Sequence, residues 1–288
     1  METGALIQPH ELAAFDRSAA EREIRNRAHA VYLGHDTALV FILGRYKFFL
    51  DTQDLGFGSH VILDGFWEIW LTLFCARNLK SGMTAIDVGA HYGYYSMMFA
   101  DFIGASGHLI SIEPNPRAGE LLGRSLELNG FTGRSRVMPV VAGAPEDCQA
   151  SLFIPPFESK NALVVADASG LSERGAVIQV ESVCLDRICA EMERVDFVKI
   201  DAEGSEERIF EGMYDTIKRF HPLIVMEFNA SRYSNPGAFL ERMLGAYGSL
   251  YRDWRVAVSV LIAMHFRVQP LGKAASSRGD FSSLVYFD

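Results

Sequence analysis

MTAIDVGAHYGYY, residues 83–95, is the stretch from which the rest of the chain is read. Its spacing predicts a buried strand over 84–88, a tight turn, and a helix from residue 94 onward. Asp87 stands near the strand's end. Gly89 and Gly93 bracket the turn in a G-x-x-x-G pattern. Glycine lets the backbone approach a ligand closely and take up dihedrals that other residues avoid. A turn that opens a helix also presents unpaired N–H groups. Such a stretch cradles a polar small molecule at the carboxyl end of a parallel sheet.

Downstream, strand and helix patterns alternate. HLISIE (108–113) predicts a second strand, and 116–129 a helix with Asn115 as N-cap and Pro116 at its first position. A third strand is expected over 137–141. Between 142 and 195 the pattern loosens to short strands at 151–154 and 176–183, with a helix at 186–193. A Ser/Gly/Ala-rich loop, 166–175, is a candidate lid between those strands. FVKID (197–201), a helix over 206–220, LIVMEF (223–228) and a helix over 236–247 restore the alternation. Segments 255–264 and 282–287 close the chain as a hairpin, which places an antiparallel strand at the sheet edge. The implied class is α/β, a parallel sheet covered on both faces.

Upstream, 11–32 reads as one or two polar helices, and 38–51 as two strands turning at Gly44 and Arg45. A glycine-rich loop follows over 54–59. Residues 65–79 form an amphipathic helix with Phe66, Ile69, Trp70, Leu73 and Phe74 at helical spacing. Trp67 and Trp70 read as packing anchors. Residues 1–64 are thus an N-terminal accessory segment of helices and a short hairpin, and 65–288 the main domain.

The chain has 288 residues, 49% of them hydrophobic, and a formal charge of −9. That suits a packed globular protein and disfavours a generic nucleic-acid surface. Cys75, Cys148, Cys184 and Cys189 form no C-x-x-C pair and read as ordinary thiols of a reducing compartment. No secretory signal is visible, and the longest apolar stretch, 256–264, is broken by Ser259. It falls short of the ~20 residues that span a bilayer. The expectation is a cytoplasmic protein with no transmembrane segment. A peripheral membrane contact and a homo-oligomer are left open.

Glu113 ends the second strand, 24 residues after Gly89. An acid at that distance is placed to accept hydrogen bonds from a ribose diol. The spacing serves nicotinamide cofactors and S-adenosylmethionine alike, and the glycines separate them. A pyrophosphate wants G-x-G-x-x-G. Here two glycines flank His91 and Tyr92, and an acid precedes the first, which suits a cationic amino-acid tail. KIDAEGSEERI crowds Asp201, Glu203, Glu206 and Glu207 at the carboxyl edge of the sheet. Ser205, with Glu207 and Arg208, can cap the helix there. Asp201, at the strand tip, is the acid expected to face a reacting group. It can serve as general base or hold a metal that acidifies a hydroxyl. Asp201, Glu227 and Asn229 would offer hard oxygen ligands suited to Mg²⁺. The alternative, and the expectation, is that no metal is needed and that Glu227 and Asn229 orient an acceptor. His91, in the turn, could contact ligand or act as a base. Tyr92 is the tyrosine of its cluster placed nearest the pocket. His221 reads as a cap or surface residue, and Lys199 as a buried ion-pair partner without catalytic role.

IDVGAHYGYYS, SIEPNP, VCLDRI, FVKIDAEGSEERIFEGM and LIVMEFN, in this order and spacing, resemble the FkbM family of methyltransferases over roughly residues 60–250. The block from Lys199 to Glu206 is the most specific. The resemblance implies a Rossmann-like class I methyltransferase fold over 65–288, with S-adenosylmethionine as donor. It also implies O-methylation of a small-molecule or glycan acceptor, such as a sugar, glycolipid or natural product. It places Asp87, Gly89, Ala90 and Gly93, with His91 and Tyr92 between them, at the donor's methionine end. Glu113, Pro114 and Asn115 fall at the ribose and adenine edge, Ala142 at the adenine, and Glu68 near the donor's amino group. Asp201, also a donor contact, Glu203 and His91 are the catalytic candidates. N- or C-methylation, or a donor-binding module without turnover, are the alternatives. The missing third glycine and the Lys199–Glu206 block argue against an NAD oxidoreductase.

Overall fold

The computed structural model describes residues 5–246. The two closing strands expected over 255–264 and 282–287, and with them the antiparallel edge strand, lie outside the described residues.

The chain opens with helices α1 (Pro9–Ala14) and α2 (Arg17–Arg25). An antiparallel sheet follows: β1 (Ala30–Gly34), β2 (Thr37–Ile42) and β3 (Tyr46–Asp51), in that spatial order. The helix expected to reach residue 32 therefore stops at Arg25. Val31 and Tyr32 favour extended backbone, and Gly34, at φ 87°, turns the chain so that β1 pairs with β2. The expected loop at 54–59 gives way to α3 (Phe57–Asp64), because Asp54 Oδ1 accepts the Phe57 N–H at 3.1 Å. Gly65 ends α3 in the left-handed region, so α4 (Ile69–Asn78) begins at Ile69 and not at residue 65.

Next come β4 (Thr84–Val88), α5 (Tyr94–Phe102), β5 (His108–Ile112), α6 (Pro116–Leu128) and β6 (Ser135–Met138). Asn115 caps α6 as the sequence predicts, accepting the Arg117 N–H at 3.0 Å. The third strand lies earlier than 137–141. Pro139 has no N–H to give the ladder, so β6 ends at Met138. The next residues, β7 (Val141–Ala142), leave the central sheet and pair in parallel with β10 (Ala176–Val183) of a second sheet. β8 (Gln149–Ile154) and β9 (Leu163–Val165) complete that sheet, in the order β7-β10-β8-β9. The helix expected over 186–193 is the single turn α7 (Leu185–Ile188).

The chain then returns to the central sheet with β11 (Phe197–Ile200), α8 (Glu206–Glu211), α9 (Tyr214–Phe220), β12 (Leu223–Met226) and α10 (Pro236–Ala246). One helix was expected over 206–220. It breaks at Gly212, where a side chain would run into the carbonyl of Gly143. The central sheet has the order β12-β11-β4-β5-β6, and every neighbouring pair is parallel. This is the Rossmann-like α/β class expected from the sequence. Period-two alternation divides two cores. Ala85, Leu109, Phe197 and Val225 face the N-terminal layer with α4–α6. Ile86, Val88, Ile112, Val198 and Ile200 face α8–α10. Among the described residues no helix is long and apolar enough to cross a membrane.

Candidate functional site

The carboxyl ends of β4, β5 and β11 open onto one cleft. It holds about 550 Å³ of space, counted to its open mouth. The reversal of strand order falls here, since β4 has β5 on one side and β11 on the other. Open parallel sheets bind ligands at such a switch point.

The glycine turn forms its floor. Gly89 has φ 71°, and a side chain there would strike the carbonyl of Asp201. Gly93, at φ 93°, would strike Leu122. The turn differs from expectation in one respect, because its amides are not free. Gly89 and Ala90 both donate to the Ile112 carbonyl at 3.0 Å, and Gly93 donates to Ala90. The His91 N–H donates to Glu113 Oε2 at 2.7 Å. These amides are spent on holding the turn to β5, so a pyrophosphate would find few donors here.

Glu113 is buried, and its other oxygen accepts the Asn115 N–H at 2.8 Å. Burial raises its pKa, against the pull of His91 and the two amides. Two backbone bonds fix the carboxylate, and each oxygen keeps accepting capacity toward the cleft. Of the expected donor contacts, Gly89, His91, Glu113, Pro114, Ala142 and Asp201 line this cleft. Glu68, Asp87, Ala90, Tyr92, Gly93 and Asn115 are not among its lining residues. Tyr92 is 2% exposed, so the tyrosine placed nearest the pocket by position is packed under the turn.

Asp87 belongs to a buried polar row that runs across the sheet. Lys199, Asp87 and Ser111 are register neighbours on β11, β4 and β5. Ser96 of α5 donates to Asp87 Oδ2 at 2.7 Å. The Lys199 ammonium sits 3.8 Å from Asp87 Oδ1 and 3.2 Å from Asp201 Oδ2, with the Tyr95 ring 4.8 Å away. Burial pulls the lysine's pKa down, but Asp201 and Asp87 together hold it above its ordinary value. Burial raises the pKa of Asp87 in spite of that ammonium. Tyr95 donates to Glu68 at 3.1 Å, which ties Glu68 to the edge of this row.

Asp201, Glu203 and Glu227 converge at the tips of β11 and β12, with one oxygen of each within 4.8 Å of the others. Glu203 is held in the left-handed region, at φ 51°, and pairs with Arg232 at 2.6 Å. Burial raises its pKa and Arg232 opposes the rise. Glu227 is raised to about 7, first by burial and then by Asp201, Glu203 and Glu206. Glu206 is structural. It accepts the Ala202 and Gly204 amides at 3.1 Å and the Tyr233 hydroxyl at 2.8 Å. This corrects the expectation that Ser205 caps the helix, since Ser205 makes no side-chain cap bond. The sequence pointed to Asp201, Glu227 and Asn229 as an oxygen set. The acids that meet are Asp201, Glu203 and Glu227, and Asn229 is exposed beyond them. Three carboxylates suit a hard cation. Lys199 and Arg232 already stand against two of them.

The remaining wall was not legible in the sequence. Ser159, Lys160 and Ala162, between β8 and β9, and Val164 of β9 face the cleft, whereas the loop at 166–175 does not. Ser159 donates to Asp54 Oδ2 at 2.6 Å and lies 2.8 Å from both His91 Nε2 and the Tyr92 hydroxyl. Asp54 is buried. Burial would raise its pKa, but His91, Ser159 and the Phe57 amide bring it below the ordinary value. Its side-chain partners His91 and Ser159 lie 37 and 105 residues away in sequence, so no local motif marks them.

Residues 87–255 match the Methyltransferase FkbM domain. Over 61 residues, 21% of this chain and 29% of the relative, the sequence is 33% identical to a protein-L-isoaspartate O-methyltransferase of Methanothrix thermoacetophila. A crystal structure of an FkbM methyltransferase from Methylobacillus flagellatus is 19% identical, with 57% of this chain and 37% of that one covered and a TM-score of 0.39. A precorrin-6y C5,15-methyltransferase from Geobacter metallireducens is 17% identical, with 61% and 69% covered and a TM-score of 0.35. The chain spans 29% and 37% of the first two relatives' own lengths. The matched residues run from β4 through the β11–β12 edge and cover more than half of the sequence, so the chain belongs to the FkbM methyltransferase family.

Proposed function

We propose that this FkbM-family chain transfers a methyl group from S-adenosylmethionine to a hydroxyl oxygen of a sugar, glycan, glycolipid or natural product. The observation that carries the reading is the pairing, across one cleft, of Glu113 beside the glycine turn with Asp201 and Glu203 at the tip of β11. Glu113 accepts from the ribose hydroxyls. The amide-poor turn, with Asp201 against it, suits the cationic methionine end. Ala142 and Pro114 flank the base.

The acceptor oxygen attacks the methyl carbon in line with the breaking C–S bond and loses its proton as it does so. Asp201 is the assigned base, with Glu203 and His91 as alternatives. Glu227, at about 7, joins them on the strength of its burial and its acid neighbours. Should a Mg²⁺ bind, Asp201, Glu203 and Glu227 would hold it and it would acidify the hydroxyl. Lys199 and Arg232 favour chemistry without one. Residues 1–64 act in this scheme as an accessory segment that supplies Asp54 to the donor side.

S-adenosylhomocysteine should raise the melting temperature and NAD should not, and Glu113→Ala should remove most of that rise. A response to NAD alone would end the reading.

A further inference from the structure

We infer that Asp54 and Ser159 are positioning residues of the donor site, latching the β8–β9 connection to the glycine turn and holding His91 with its proton on Nε2. The assignment follows from counting donors. A serine hydroxyl has one proton and two lone pairs, and a carboxylate only accepts. At 2.6 Å from Asp54 Oδ2, the proton of Ser159 is committed there. Its oxygen must then accept from both remaining neighbours, the Tyr92 hydroxyl and His91 Nε2, each at 2.8 Å. The imidazole therefore carries its hydrogen on Nε2, which also lies 3.3 Å from Asp54 Oδ2. In neutral His91, Nδ1 is left as the nitrogen with a lone pair, the one able to take a proton.

This is not a nucleophile arrangement. In a serine triad the carboxylate and the hydroxyl occupy opposite ring nitrogens. Here both lie on Nε2, and the hydroxyl already gives its proton to the carboxylate. What the cluster does is mechanical. It joins three distant segments: the loop before α3, the glycine turn and the insertion. A second tie runs from the Leu55 N–H to the Phe157 carbonyl at 2.8 Å. The ring of His91 is packed on Tyr92, with centroids 3.8 Å apart, and meets Phe57 edge-on at 5.1 Å. The charged and titratable groups around it are Asp54, Tyr92, Glu113, which takes its N–H, and Lys160, which lines the same cleft. Because Ser159 through Val164 form one wall, the latch sets how closely that wall approaches a bound donor.

The inference rests on the donor reading only for the identity of the ligand, and the latch is testable on the free protein. The full chain, labelled with ¹⁵N at histidine, is examined by long-range proton–nitrogen correlation at mildly basic pH, with His91 identified by the signal lost in His91→Gln. The wild type should show His91 as the Nε2–H tautomer. Asp54→Asn frees the Ser159 proton for the ring, so the Nδ1–H form should appear. Backbone amides over 157–161 should then exchange roughly tenfold faster or more. Ser159→Ala should speed the same amides and shift the Nε2 signal, and Ser159→Thr should restore both. S-adenosylhomocysteine affinity should fall several-fold in Asp54→Asn and Ser159→Ala. A wild type in the Nδ1–H form overturns the inference. So does Asp54→Asn, or Ser159→Ala if the first variant does not fold, with ring signals and loop exchange unchanged. A chain with the expected tautomer and exchange that fails to bind S-adenosylhomocysteine keeps the latch and ends the donor reading.

Discussion

At Gly89 there is no room for a side chain. The residue sits at φ 71° with the carbonyl of Asp201 against its open face. Gly89→Ala must therefore shift β11 away from β4 as well as strain its own backbone. A non-glycine residue held in such a conformation costs about 1–3 kcal/mol before any clash is counted. Urea denaturation should show at least that loss, and a stability within error of the wild type would contradict the packing. Lys199 makes a similar point with charge. It is 3% exposed and stands between Asp87 and Asp201. Lys199→Met would leave two carboxylates without their cation, and breaking a buried pair on one side costs about 3–5 kcal/mol. The same measurement tests it, and a loss well under about 1 kcal/mol would mean that the carboxylates do not depend on the ammonium. Both residues were legible in the sequence because their partners come through strand register, which period-two alternation reveals. Gly89 directly follows β4, and Lys199 lies on the opposite face of β11 from Ile200. Asp54 and Ser159 were not legible. They meet through a hairpin insertion whose path depends on tertiary packing, and neither has a motif around it.

Among elements, the strands of the central sheet were the readable part and the insertion the unreadable one. Strand segments such as IDV and FVKI are short runs, apolar but for Asp87 and Lys199, bounded by turn residues. Helices between consecutive strands make the pairing of β4 with β5, β5 with β6 and β11 with β12 parallel. The third strand was misplaced because Pro139 stops β6 while the apolar run continues into β7. That same proline sends the chain into the second sheet and so delivers Ser159 to the cleft. The insertion's attachment has a pH signature. Asp54 has a pKa below its unfolded value, so the folded state holds fewer protons than the unfolded one as acid is added. Its contribution is fully present above the unfolded carboxylate value and is lost as pH falls through the folded one. The gap in melting temperature between wild type and Asp54→Asn should thus be widest near about pH 7 and close below about pH 4. A gap independent of pH would remove the ionised carboxylate from the account. Glu227 runs the other way. Its raised pKa, about 7, makes its ionisation unfavourable for folding as pH rises through that value.

For the molecule as a whole, the division into an N-terminal accessory segment and a larger domain is one of sequence, and the packing crosses it. Ile7, Leu12, Ile24, Val40, Ile42, Phe48 and Leu50 belong to the same buried cluster as Leu73, Met97, Phe99, Leu122 and Phe197. Polar ties follow the same boundary. Arg45 pairs with Asp101 of α5 at 2.5 Å, Tyr46 donates to that carboxylate at 3.0 Å, and Arg117 of α6 reaches Asp51 at 3.1 Å. One face of the sheet is thus covered by α4–α6, and those helices are in turn covered by residues from before position 64. A fragment starting at Gly65 would expose the outer faces of three helices and leave Asp101 without its cation. Each large apolar side chain returned to water costs about 1.5–3 kcal/mol, and a domain's whole margin is about 5–15 kcal/mol. The fragment 65–288 should therefore lack a cooperative melting transition and bind a dye for exposed apolar surface, while the full chain melts in one step. If instead the fragment melts cooperatively and still takes up S-adenosylhomocysteine, the N-terminal layer is dispensable for the fold, and its place would be at the acceptor side alone.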